Sequence, residues 1–92
     1  MDEIYHHALK LLRTRDHTKR QLQQRLEAKY GRVPDDVLLQ LSAKRYLDNR
    51  RYADNFVAKH ADAHPDRVRE QLHEAGIDNR TIDLVIDAFE WP

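Results

Sequence analysis

Apolar residues recur along this 92-residue chain at intervals of three and four, and the same pattern begins again after about 45 residues. Ala8 and Ala53, Leu12 and Val57, Val37 and Ile82, and Leu41 and Ile86 are each 45 residues apart, while Leu22/Val68 and Leu26/Leu72 are 46 apart. The short interval is the period of amphipathic helices and not the alternation of strands. The long interval lies in the range of helical repeats that stack on their neighbours, no unit burying its apolar face alone. The chain is therefore expected to be all-α, a tandem array of two three-helix repeats. The first covers about residues 2–45 and the second about 46–90, within a single domain over 1–92, a length that suits one domain.

Local punctuation divides the pattern into six short helices. The first runs from about Asp2 to Thr14, with Ile4, Ala8, Leu11 and Leu12 on one stripe, and stops at Arg15-Asp16-His17. Thr18 suits an N-cap, with Gln21 three residues on completing a capping box. Leu22 and Leu26 line the second helix to about Tyr30, where Gly31 supplies a left-handed stop. Pro34 suits the first turn of a third helix, Asp35 and Asp36 its positive end, and Val37, Leu38 and Leu41 its buried face. Asp48 can cap a fourth helix carrying Tyr52, Ala53, Phe56 and Val57. Pro65 opens a fifth with Val68, Leu72 and Ala75, closed by Gly76, and Asp78 caps a sixth with Ile82, Val85, Ile86 and Phe89. Leu84 and Ala88 lie off that last stripe. Trp91 is expected to fold back over the sixth helix if the chain is complete, and to lie exposed with Leu84 if it is a fragment.

Composition narrows the function classes. No window of eighteen apolar residues exists, and Met1-Asp2-Glu3 is acidic where a secretory signal would be basic. Cysteine is absent, which excludes disulfides, thiolate nucleophiles and Cys-based zinc sites. These features predict a cytoplasmic protein held by packing alone. The net charge of zero conceals a segregation: residues 10–32 carry eight basic against two acidic residues, and residues 61–92 carry three basic against eight acidic. Such a dipolar chain can be oriented by a polyanion or by an alternating protein surface.

Ala8-Leu9-Lys10-Leu11-Leu12, then Arg15-Asp16-His17-Thr18, then Leu22 and Leu26, form one set of motifs. Tyr46-Leu47-Asp48, Arg51-Tyr52-Ala53, Arg69, Leu72, Gly76-Ile77 and Ile82 form a second. In their order and spacing from about Tyr5 to Phe89 the chain resembles the RecX family, regulators of the bacterial recombinase RecA. Members of that family usually have three such units where this chain has two. Arg45 stands where the family often has glycine, and Asp62-Ala63-His64-Pro65 replaces a glycine- and arginine-rich link. The resemblance implies a non-enzymatic protein that lies in the groove of a RecA-type recombinase filament on single-stranded DNA and restrains it.

The candidate partner-binding residues are Lys10, Arg13, Arg15, Lys19, Arg20, Arg25 and Lys29. Helices often present a solvated charged face, but Asp16 and Glu27 are too few to pair this cluster internally. Acidic protein surface or DNA phosphate would reward it through charge-assisted hydrogen bonds. Thr18, Leu22, Leu26, Ala53, Phe56, Leu72 and Gly76 carry the resemblance yet read physically as capping, packing and helix termination. Tyr5, Tyr30, Tyr46 and Tyr52 read as core edges more than as base-stacking platforms. His60 and His64, with Asp62 between, have metal-ligand spacing, but Pro65 disfavours helical geometry at His64, so no metal is expected. The only serine is Ser42, and neither a glycine-rich phosphate loop nor a zinc-protease motif occurs, so no catalytic residue or cofactor is expected. A monomer is expected, with no membrane association and no small-molecule ligand. The alternative reading is a small three-helix nucleic-acid-binding module acting directly on DNA, although the second half is acidic and shows no base-reading row.

Overall fold

The computed structural model describes residues 2–92. Six helices and no strand occur among the described residues: α1 Asp2–Thr14, α2 Lys19–Tyr30, α3 Asp35–Ala43, α4 Asn49–Lys59, α5 Pro65–Glu74 and α6 Asn79–Ala88. The all-α architecture is thus as the periodicity requires. No helix among the described residues is long and apolar enough to cross a membrane. The chain divides into two compact units, Met1–Asp48 and Asn49–Pro92, each with three helices.

Each unit has a core of its own. In the first, Ala8, Leu22, Leu26, Val37, Leu38, Leu41 and Leu47 are buried, and Ile4, Tyr5, Leu9, Leu11, Leu12, Tyr30 and Val33 pack around them. In the second, Ala53, Val57, Val68, Leu72, Ile77, Ile82, Val85 and Ile86 are buried, with Tyr52, Phe56, Ala63, Phe89 and Trp91 against them. The paired positions of the repeat reappear as paired core residues, apart from Leu12, which is half-buried where Val57 is fully enclosed. Truncating a leucine as enclosed as Leu26 or Leu72 typically costs about 2–5 kcal/mol.

The caps explain where the helices start. Thr18 Oγ1 accepts from the backbone N–H of Gln21 (3.1 Å) while the Thr18 N–H donates to Gln21 Oε1 (3.0 Å), closing the expected capping box. Asp78 accepts from the N–H of Thr81 (3.1 Å) and from its hydroxyl (2.7 Å), and these two bonds hold its carboxyl below the usual range. Pro34 lies one residue earlier than expected: its ψ of 139° is extended, so it precedes α3 and Asp35 opens the helix. His64 is also extended and sits outside the helix, as Pro65 demands. Its Nδ1 accepts from the N–H of Asp66 (3.1 Å), a cap that the sequence reading does not foresee.

Three helices end on left-handed residues. Gly31 (φ 78°) follows α2, and its N–H donates to Glu27 O at 2.8 Å. Gly76 (φ 97°) follows α5, and the next residue, Ile77, donates to Leu72 O (3.0 Å) and drops into the core. After α3 the left-handed position is Arg45 (φ 64°), beyond which the N–H groups of Tyr46 and Leu47 both donate to Leu41 O (3.0 and 3.2 Å). That turn buries Leu47. After α6 the matching carbonyl, 45 residues on, is that of Ile86, and it accepts instead from the indole Nε1–H of Trp91 at 3.1 Å. Trp91 folds back half-buried, edge-on to Phe89 with ring centroids 4.9 Å apart, while Leu84 stays exposed.

An L-residue with a side chain pays about 1–2 kcal/mol in the left-handed region, and Arg45 returns little through its exposed 3.7 Å ion pair with Asp48. Arg45→Gly is expected to stabilise the protein by about 0.5–1 kcal/mol after the larger unfolded-state entropy of glycine is counted. A urea titration with unchanged slope and a higher midpoint is the expected result; a lower midpoint would show that the turn is not strained.

His17 generates a second expectation. It is fully buried, its Nδ1–H donates to Arg15 O (3.0 Å), and Nε2 has no hydrogen-bond partner among the protein atoms. Burial pushes its pKa below 6.5, the Arg15 carbonyl bond opposes that, Arg15 and Arg25 push further down, and Asp16 pulls weakly up. The unfolded chain then binds the proton first, so stability is full above about pH 6.5 and falls as pH drops below it, until the folded-state pKa is passed. The denaturation midpoint should decline from pH 7 towards pH 5.5. The decline should be shallower in His17→Gln, and an identical slope in that variant would remove His17 as its source.

Candidate functional site

All seven candidate cations are exposed, but the structure does not gather them all in one place. Lys10 and Arg13 lie on α1, Arg15 in the elbow after it, and Lys19, Arg20, Arg25 and Lys29 on α2. Helical spacing turns Arg25 and Lys29 towards one flank of α2. Lys19 is on the other, where it lines a concave stretch with Gln23, Asp35, Leu38 and Leu39.

The convergent part is built around two histidines. His7, half-buried on α1, meets Tyr30 at the end of α2 edge-on, with ring centroids 5.7 Å apart. Its pKa lies below 6.5, first through desolvation and then through the fields of Lys29, Lys10 and Arg25, with Glu3 opposing. Cations from two helices therefore converge on one imidazole. Lys29 also lies over the Tyr30 ring, 5.5 Å from its centroid. Arg25 and Arg15 likewise act on His17 in the elbow. Lys10, Arg25 and Lys29 thus lie within electrostatic reach of His7, and Arg15 and Arg25 within reach of His17.

None of these four, nor Arg13, forms an ion pair among the described residues. Helix stability does not explain the remaining two. Lys19 and Arg20 occupy the first turn of α2, which has no acidic residue, and a cation there works against the helix dipole by about 0.3–1 kcal/mol. Sequence reasoning missed His7 and His17, since only the approach of α2 to α1 makes either one a meeting point of charges.

The second unit treats charge differently. Arg69 of α5 donates to Asp83 of α6 and its basicity is raised by that bond, tying the two helices across the surface. Arg50 and Asp54 pair within α4 at 3.3 Å. His60 and His64 do not form a metal pair: His60 donates from Nδ1 to Phe56 O (2.9 Å) and stacks on the Phe56 ring, while His64 caps α5. No group of three or more potential metal ligands is assembled among the described residues. Tyr5, Tyr30 and Tyr52 are half-buried core edges, and only Tyr46 is exposed.

No family model matches the chain. Among curated proteins it is similar to the regulatory protein RecX of Halorhodospira halophila, with 35% identity in an alignment of 88 positions that covers 90% of this chain. The chain spans about half, 54%, of that relative's length. At that coverage the alignment takes in most of both units. Over the span it shares with that relative, the chain belongs to the RecX family.

Proposed function

We propose that this protein regulates a RecA-type recombinase by binding its filament on single-stranded DNA through the α1–α2 face, with no chemistry of its own. It acts in the cytoplasm. The observation that carries this reading is the convergence of Lys10, Arg15, Arg25 and Lys29, unpaired by acids of their own chain, in a member of the RecX family. A nucleoprotein filament offers acidic protein surface and phosphate side by side, and guanidinium groups bond to both. Arg13, Lys19 and Arg20 extend the contact at its edges.

A second reading, direct binding of DNA by the same face, is favoured by the cations in the first turn of α2, where backbone N–H groups and the helix dipole already attract phosphate. The two readings separate in a paired measurement. Under the first, the protein lowers DNA-dependent ATP hydrolysis by RecA at concentrations where it does not bind bare single-stranded DNA. Under the second, affinity for bare single strands is comparable, and its logarithm falls with that of salt with a slope of about −3 for four phosphate contacts.

The triple variant Lys10→Glu, Arg25→Glu, Lys29→Glu should keep the helical circular dichroism of the parent, because all three positions are exposed and exposed charges contribute little to stability. It should lose at least about tenfold in inhibition of the filament. Undiminished inhibition together with unchanged DNA affinity would show this face to be a solvated surface.

A further inference from the structure

His7 sits where two helices each bring charge towards it. On α1, Lys10 follows it by three residues and so shares its flank. On α2, Arg25 and Lys29 are four residues apart on one flank. Lys29 Nζ lies 5.5 Å from the centroid of the Tyr30 ring, and that ring meets His7 edge-on at 5.7 Å. All three cations are exposed, and none forms an ion pair among the described residues. Glu3, one turn before His7, is the acid that acts on it. His17 feels the same Arg25 but is fully enclosed, with Nδ1 engaged by the Arg15 carbonyl, whereas His7 is only half-buried. Of the two histidines, His7 is the one that a ligand can reach.

We propose that His7 is a proton-coupled member of a phosphodiester site: a phosphate of a single strand settles among Lys10, Arg25 and Lys29, and the imidazole takes a proton from solvent to become its fourth cationic donor. The inference rests on the reading that these cations meet an anion outside the chain, and it adds the anion's chemistry and a response to pH. In the protein alone, desolvation first and then the fields of Lys29, Lys10 and Arg25 keep the ring neutral at pH 7, with Glu3 opposing. A bound phosphate offsets those fields and adds its own attraction, so the imidazolium becomes favoured. At most one proton is gained from water or buffer for each phosphate bound, and no covalent bond is made or broken in the ligand. Because the complex holds more protons than the separate partners, affinity rises as the pH falls from 7.5 towards 6.

The arrangement suits a phosphodiester better than a protein carboxylate. Three cations gathered about one imidazole, with one acid acting among them, match an anion of high linear charge density. A nucleic-acid strand supplies a charge at every nucleotide, while a protein surface spaces its carboxylates among cations of its own.

Proton–carbon NMR of the imidazole follows His7 directly in the whole protein, titrated from about pH 8 to about pH 5.5 at low salt, alone and with a millimolar excess of a short oligothymidylate. The oligonucleotide should raise the His7 midpoint by roughly half a pH unit or more, which is about threefold tighter proton binding. Affinity for the oligonucleotide, read from the same spectra, should rise towards the same limit as the pH falls, and His7→Gln should lose most of that rise. His6→Gln should keep it, since His6 is exposed and turned to Tyr5 instead. The triple variant Lys10→Gln, Arg25→Gln, Lys29→Gln should show a raised midpoint without oligonucleotide and no further rise with it. A midpoint that stays put while the amide signals of Lys10, Arg25 and Lys29 report bound oligonucleotide would overturn the coupling and leave the cationic site standing. A midpoint that stays put with no response at those amides would overturn the phosphate site too, and inhibition of ATP hydrolysis by RecA then decides separately whether the filament reading survives. A rise produced by oligoglutamate and not by oligothymidylate would assign the site to protein carboxylates and overturn the proposal.

Discussion

The reciprocal hydrogen bonds between Thr18 and Gln21 hold the polar segment that the first unit buries. His17 and Thr18 are both fully enclosed, and a buried polar pair is tolerable only where its donors and acceptors are matched. The capping box satisfies Thr18, and the Arg15 carbonyl satisfies one side of the His17 ring. With those bonds made, α2 leaves the elbow in a fixed direction and lays Leu22 and Leu26 into the core. Lys10, Arg25 and Lys29 thereby act on His7, and Arg15 and Arg25 on His17. The electrostatics of the candidate site follow from the geometry of a four-residue turn.

Much of this was legible in the sequence because it was written in local rules. Helix periods, the Thr18 and Asp78 caps, the stop at Gly31 and the exclusion of His64 from a helix each depend on residues within one turn of one another. What escaped depends on the third dimension. Leu47 and Ile77 lie outside any helical stripe and are buried only because a left-handed residue ahead of each reverses the chain. His64 became a cap because Pro65 fixed the backbone on which its ring could reach Asp66. The seven cations looked like one cluster in linear order, yet the helical turn sends Lys19 to the α3 side of α2 and Arg25 and Lys29 to the α1 side. Spacing could have told those flanks apart, but not which neighbour each would meet.

The two units solve the same packing problem with different surfaces. The first leaves Lys10, Arg13, Arg15, Arg25 and Lys29 without ion pairs among the described residues, and the second matches Arg69 with Asp83 and Arg50 with Asp54. A shared fold therefore does not imply a shared surface.

One difference between the repeats reaches beyond charge. Where α3 ends, the Leu41 carbonyl is closed by main-chain N–H groups, which every residue but proline supplies; where α6 ends, the Ile86 carbonyl is closed by an indole, which only tryptophan supplies. The first closure needs no particular side chain as donor, and the second rests on one side chain. Under drift the two closures should accordingly age at different rates, the one after α3 keeping its donors whichever side chain follows at the exposed Tyr46 position, while the end of α6 frays with the first change at Trp91.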